Sequence, residues 1–443
     1  MKEEFLARME AMLQDEYPLF LAMLDQPRFR GVRFNSLKIG KERFQQLFPC
    51  ELKPTPFCPN AFYLDHDVKQ IGNHPLHMSG AMYMQEPSAS SAVEILDVKE
   101  GDWVLDLCAA PGGKSTQIAE KLAHQGLLIA NEIDAQRAQV LMSNLERMGF
   151  GEVIVTQAQP KVLCKMCRGW FDKALVDAPC SGEGMMKKHD EAAFGWSVEN
   201  IRACAKRQLE ILMDAADALK DQGFLVYSTC TYAEEENEAV VSQLLAKRND
   251  LILVDCGVNF GRYGFPYDDL ESDKVRRIFP MDQGEGHFIA KFQKTAATPT
   301  ARIIEKSSHP LAKGYREQLE AILTMPEGHY EILHDKIYFR TTPFLDLKNI
   351  RVLRQGILCG TIQKQRLEPH HHLFMSSYLY PCFHRICEVT DDEWRHYQAG
   401  EELAIGAYFG YTAIAWNSLI VGFAKGNNKV LKNKYPKGLR RKY

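Results

Sequence analysis

"DLCAAPGGKSTQIAEKL" (106–122) is the stretch on which the fold turns. An apolar run closes at Asp106 and Leu107, a turn of small residues follows, and a helical pattern begins at the glycines. Gly112 and Gly113 let the backbone pass close to a ligand, and the first helical turn offers unpaired N–H groups. Two phosphate-binding patterns fail here. A Walker loop needs glycine where Cys108 stands, and no G-x-G-x-x-G is present. The turn suits a cofactor without a pyrophosphate, such as S-adenosyl-L-methionine.

Outward from this unit the pattern repeats. Apolar runs at 102–108, 126–133, 152–157, 171–179 and 223–230 alternate with helical segments. In the helix expected over 136–149, Leu141, Leu145 and Met148 share one face. This alternation predicts an α/β fold: a parallel, doubly wound sheet with helices on both faces. Ligands of such sheets sit beyond the carboxyl ends of the strands, where Cys108, Glu132, Asp177 and Cys230 all fall. Glu132 is placed to accept both hydroxyls of a ribose. Thr231 and Glu234 in "TYAE" have capping-box spacing and predict a helix start there. The run at 286–294 follows a loop, so an antiparallel partner is expected.

The chain has 443 residues, 45% hydrophobic and 25% charged, as in a globular protein of several domains. No run approaches the roughly 18 apolar residues of a membrane span. The opening residues read as an amphipathic helix, with acids where a signal peptide would be apolar. Twelve cysteines without regular short spacing point to reduced thiols in a cytoplasm. The net charge of −3 speaks against wholesale nucleic-acid binding, yet residues 425–443 carry eight Lys and Arg and no acid. That run reads as a phosphate footprint, with a solvated tail as the alternative.

"VDAPCSGEG" (176–184) and "VYSTCTYAEEENE" (226–238) each set a cysteine behind an apolar run. Two buried hydrophobes is one reading. Two thiols facing one active site is the other. "DLCAAPGGK", "DAPCSGEG" and "YSTCT", in this order, resemble the NOL1/NOP2/Sun family of RNA cytosine-5 methyltransferases. The resemblance spans roughly 1–294, with "VRFNSLK" (32–38) and "YMQEPSAS" (83–90) included. "CSGEGMMKK" resembles the bacterial branch that modifies small-subunit ribosomal RNA, and 410–440 is similar to the PUA-like module of that branch.

The resemblance implies a Rossmann-like, S-adenosyl-L-methionine-dependent core at 93–294, preceded by an RNA-binding extension at 1–92. A linker (295–310), an intermediate α+β segment (311–375) and a PUA-like RNA-binding domain (376–443) follow. It implies methylation of cytosine C5 in ribosomal RNA, 16S above all, by a monomer acting on the RNA or the small ribosomal subunit. By the same resemblance Cys230 is the nucleophile toward C6 and Cys180 assists release. Asp177 is placed to hydrogen-bond N3. Cys108, Ala109, Ala110, Pro111, Gly112, Gly113 and Lys114 line the cofactor, with Glu132, Arg137, Gln159 and Asp177. Gln159 stands where relatives often carry an aspartate for the adenine amino group. An exposed helix arginine is the alternative for Arg137.

Lys187, Lys188, Lys432, Lys434, Arg440 and Arg441 are the candidate RNA contacts, a solvated face being the alternative for Lys187 and Lys188. No metal is expected. The C-x2-C at 164–167 lacks a second pair, and the histidines at 370–372 lack regular ligand spacing. Three rivals stand beside this reading. A DNA cytosine-5 methyltransferase would attack with Cys180, and a tRNA cytosine-5 methyltransferase would share the chemistry. A catalytically silent RNA-binding assembly factor would not need both cysteines and Asp177.

Overall fold

Each apolar run around the glycine turn is a strand in the computed structural model, which describes residues 2–187, 196–307 and 310–441. These are β1 (Trp103–Asp106), β2 (Leu127–Asn131), β3 (Val153–Gln157), β4 (Phe171–Asp177) and β5 (Leu219–Thr229). They run parallel in the order β5-β4-β1-β2-β3. Helices α1 (Gly113–Lys121), α2 (Ala135–Met148), α3 (Pro160–Met166) and α4 (Val198–Ala218) fill the crossovers. The strand order reverses between β1 and β4, which opens a crevice at their carboxyl ends.

The sheet then grows on both sides. β6 (Leu251–Val254) and β7 (Arg276–Ile278) each pair with β8 (His287–Lys294), and β8 lies antiparallel to β5 as its sequence implied. At the far edge β9 (Arg351–Gln355) runs antiparallel to β3. A strand from the 311–375 stretch therefore completes the core sheet.

The runs are continuously apolar because both faces are covered. Leu105, Ile129, Ile154, Ala174 and Phe288 belong to one cluster. Val104, Leu128, Val155, Leu175 and Ile289 belong to the other. Each such side chain larger than alanine contributes about 1.5–3 kcal/mol on burial. In α2, Asp134 caps the first turn by accepting from the Arg137 N–H. Gly149, at φ 88°, ends that helix, and Leu141, Leu145 and Met148 are buried beneath it.

The capping box expected at Thr231 does not form. A 3-10 turn occupies Glu234–Glu236, and the next helix, α5 (Glu238–Lys247), starts later. The Thr231 hydroxyl instead donates to the buried Glu183 carboxylate, a partner remote in sequence.

Strands at 31–34, 53–54, 61–63 and 82–84 form an N-terminal sheet. Its Arg33, 1% exposed, pairs with Glu120 of α1 and donates to Thr116 Oγ1 at 2.8 Å, which fixes the sheet on the core. Two further four-stranded sheets are built from residues 329–369 and 386–433. Phe34, Phe44 and Phe62 share a hydrophobic cluster with Trp394, Trp416 and Val421, so the first and last parts of the chain have a common core. No helix among the described residues is long and apolar enough to cross a membrane.

Candidate active site

Side chains on a strand alternate between the two faces of its sheet. Val104, Leu175, Val226 and Ile289 mark one face. Steps of two from them reach Asp106, Asp177, Ser228, Cys230 and His287, all on that face at the crevice edge. Strand parity thus gathers residues that are widely separated in sequence.

The two cysteines meet. Cys180 Sγ lies 3.1 Å from Cys230 Sγ, and the Cys230 N–H points at Cys180 Sγ at 3.3 Å. The loops after β4 and β5 are stitched together to hold them there. Ser181 N–H donates to Glu236 at 3.0 Å, and Gln208 donates to both Glu236 and the Pro179 carbonyl. Glu183 accepts from Thr231 Oγ1 at 2.8 Å, from Tyr232 N–H at 3.0 Å and from Trp196 Nε1 at 2.7 Å. Gly184 N–H donates to the Cys230 carbonyl at 3.0 Å, and a Cβ there would sit 2.6 Å from the Glu285 carbonyl oxygen. "CSGEG" is read as structure: the glutamate is a buried clasp and the second glycine allows the close pass.

Lys114, at the start of α1, reaches across the crevice. Its Nζ is 2.8 Å from Asp177 Oδ2, while Ser228 Oγ donates to Asp177 Oδ1 at 2.7 Å. Burial alone would raise the Asp177 pKa, but Lys114 and Ser228 outweigh it and hold the carboxylate below its ordinary value. Lys114 likewise stays above its ordinary value, since the Asp177 charge overcomes burial. The contact with Cys230 and burial push the Cys180 thiol well above the usual thiol range.

Cys108, Ala109, Ala110 and Pro111 form the turn between β1 and α1, with Gly112 at φ 111° leading into Gly113. Asn131, which sequence reasoning passed over, ties three strand ends. It donates to the Leu107 and Ala158 carbonyls and accepts from Thr156 Oγ1 at 2.9 Å. Glu132 is 3% exposed. Asp134 N–H donates to its Oε1 at 3.0 Å, and Arg137 lies 3.4 Å from its Oε2. Arg137 also donates to the Ala110 carbonyl at 2.9 Å, so it braces Glu132 against the turn. Gln159 is exposed at the head of α3, with no side-chain cap.

The basic candidates divide. Lys187 is 11% exposed in its side chain and 3.4 Å from Glu285, beside a cavity of about 220 Å³ that Arg28, Phe29, Gly184 and Met185 also line. Lys187 is therefore no solvated face. Lys188 lies outside the described residues. The C-terminal run is no loose tail either. It forms the strand Leu431–Asn433 and a 3-10 turn at Lys437–Leu439. Lys434 pairs with Glu368 at 2.8 Å, and Arg440 donates to the Tyr435 carbonyl. The Arg441 N–H donates to the Gln398 carbonyl, while Lys432 is exposed. Cys164 and Cys167 are buried in the core, and His372 accepts from Leu358 N–H.

Comparison with known proteins covers the same ground. Residues 93–293 match the family described as 16S rRNA methyltransferase RsmB/F. Residues 1–87 match the N-terminal domain of 16S rRNA methyltransferase RsmF. Residues 316–376 match the first C-terminal domain of the RsmF rRNA methyltransferase, and 385–441 the methyltransferase RsmF PUA domain. The ribosomal RNA small subunit methyltransferase F of Vibrio cholerae serotype O1 is 31% identical over 99% of this chain and 97% of its own length. That of Shewanella oneidensis is 30% identical over 95% and 92%. A methyltransferase homolog protein from Pyrococcus horikoshii superposes with a TM-score of 0.59 at 28% identity, covering 66% of this chain and 95% of that one. The chain belongs to the RsmB/F family of 16S rRNA methyltransferases, and its full length matches the RsmF members of that family.

Proposed function

We propose that the chain methylates C5 of cytosine in small-subunit ribosomal RNA, with Cys230 as the attacking thiol. The observation that carries this reading is one constellation: two sulfurs 3.1 Å apart at the ends of β4 and β5, next to a Lys114–Asp177 pair at 2.8 Å.

S-adenosyl-L-methionine supplies an electrophilic methyl group when bound. The residues fit such a group. Glu132 offers a buried carboxylate to ribose hydroxyls, and Asp106 Oδ1 is buried with no hydrogen-bond partner among the described residues. The Ala109–Gly113 turn supplies backbone without bulky side chains, and Arg137 keeps Glu132 in place.

Carbon 5 of cytosine is a weak nucleophile until a thiolate adds to C6. Cys230 provides that addition, dividing one hard step into easier ones. Negative charge then builds toward N3, where a donor is needed. Asp177 is held ionised and so accepts, which suits the N4 amino group; Lys114 Nζ, its ion-pair partner, is the adjacent donor for N3. The assignment of N3 thus moves from Asp177 alone to the pair.

The contact with Cys230 and burial raise the Cys180 thiol above its ordinary range, which fits the releasing role that the motif resemblance gives it. After methyl transfer the C5 proton is lost to water, its electron pair expels the Cys230 sulfur from C6, and the Cys180 thiol, 3.1 Å away, stabilises that sulfur as it leaves. A paired cytosine could not reach this depth, so the target is unpaired or flipped out. Contacts on the RNA backbone from Lys187, Lys432 and their neighbours offset that cost.

Twelve cysteines free of disulfides support action in a reducing cytoplasm. Incubation with methyl-labelled S-adenosyl-L-methionine and unmodified 16S rRNA tests the proposal. Label recovered as 5-methylcytidine supports it; label absent, or present only in DNA or tRNA, contradicts it.

A further inference from the structure

His287 begins β8, and the register Phe288↔Thr229, carried one step on, sets it across from Cys230 on the same face of the sheet. It is 6% exposed. Its Nδ1 lies 2.8 Å from Ser88 Oγ, and Ser88 Oγ lies 2.7 Å from Glu86 Oε2. Glu86 also accepts from Ser88 N–H at 3.0 Å and Ala89 N–H at 2.9 Å, an arrangement that satisfies a carboxylate.

The direction of this chain follows from chemistry. A carboxylate only accepts, so the Ser88 proton goes to Glu86 and Ser88 Oγ must accept from the imidazole. Nδ1 therefore carries the proton, and Nε2 presents a lone pair. Nε2 makes no hydrogen bond among the described residues. Glu86 Oε2 lies 3.6 Å from Nδ1, and Lys114 and Asp177, the two groups already assigned to the target base, also act on the ring.

We infer that His287 is a specificity-determining residue: with Nδ1 tied to Ser88, Nε2 is a fixed acceptor for the second N–H of the exocyclic amino group of cytosine, whose other N–H goes to Asp177. Cytosine presents an N4 donor at that edge, whereas uracil presents an O4 acceptor that would face the same lone pair. Burial, reinforced by Lys114, pulls the His287 pKa down to about 3, so the ring stays neutral and remains an acceptor. That low basicity also makes it a poor acceptor for a proton on carbon. The inference deepens the methyl-transfer reading and rests on it.

Two RNAs test it: a 16S rRNA transcript bearing the cytidine that the unaltered protein methylates, and the same transcript with uridine at that position. Nucleoside mass spectrometry reads 5-methylcytidine and 5-methyluridine. His287→Phe is expected to lower kcat/KM on the cytidine transcript on the order of ten- to a hundredfold, and to narrow discrimination against uridine. His287→Gln, with an amide oxygen as acceptor, restores part of both. Ser88→Ala leaves the imidazole in place but frees its tautomer, and so lowers discrimination with smaller loss of rate. Unchanged discrimination in all three folded variants would overturn the inference. So would a stalled, methylated protein–RNA adduct in His287→Phe, which would make His287 a proton acceptor. An unaltered protein that methylates neither transcript would overturn the parent reading instead.

Discussion

Lys114 Nζ lies 2.8 Å from Asp177 Oδ2 across the crevice where the strand order reverses. The glycine turn and the "DAPC" motif are thereby joined by one ion pair. Its pH consequence has a definite sign. Asp177 has a folded pKa below its unfolded value, so its stabilising contribution is present above the unfolded value and lost as pH falls through the folded one. Near neutrality it adds no acid limb to the rate profile. Lys114→Met removes the main charge opposing burial, and the Asp177 pKa rises. Single-turnover methylation should then fall as pH drops from about 7 to about 5, whereas the unaltered protein shows no such loss from this group. Matching profiles would dissolve the functional pair.

Glu132→Ala tests the ribose assignment. Loss of a charged hydrogen bond should weaken S-adenosyl-L-methionine binding by about 1.5–3 kcal/mol, one to two decades in Kd. Calorimetry that returned the same Kd would remove Glu132 from the cofactor site.

A stability prediction concerns the support beneath Cys230. Arg277, 1% exposed, donates to Glu238 of α5 with Nε at 2.7 Å and to the Tyr232 carbonyl with Nη1 at 2.9 Å. Glu238 is fully buried. Removing one partner strands the other charge, so Arg277→Met should cost about 3–5 kcal/mol. A urea midpoint shift within error of zero would show that the pair is dispensable.

For RNA, the folded C-terminal run directs attention to Lys432, which is exposed, over Lys434, which Glu368 already engages. Lys432→Glu should weaken binding of 16S rRNA fragments and reduce the log–log salt slope by about 1, leaving cofactor affinity unchanged. An unchanged slope would place the phosphate contact elsewhere.

Much of this architecture was legible in the sequence, for a physical reason. Strands buried on both faces must be apolar throughout, so β1 to β5 announced themselves, and the crevice followed from their order. β9 did not. "RVLRQ" carries two arginines and pairs on one side only, with Arg351 held by Gln157 and Arg354 by Glu146. Thr231 was misread because capping-box spacing is a local signal, while the Glu183 that takes its hydroxyl lies 48 residues away. His287 was passed over within the run at 286–294, since its partner Ser88 is 199 residues distant. Position behind an apolar run singled out Cys180 and Cys230, while the choice between buried hydrophobes and facing thiols, and the role of each, came from the motif resemblance. Ser228 had a signal that went unused: it stands two residues before Cys230, on the same face.

Covalent capture of RNA tests the central claim most directly, because it separates the two sulfurs 3.1 Å apart by role. Cys180→Ala and Cys230→Ala are each incubated with 16S rRNA and S-adenosyl-L-methionine, then run on a denaturing gel. Cys180→Ala should accumulate a slow-migrating, RNase-sensitive adduct, since addition proceeds and release stalls. Cys230→Ala should form none and should not methylate. An adduct that persists in Cys230→Ala and disappears in Cys180→Ala would reverse the assignment and contradict the mechanism.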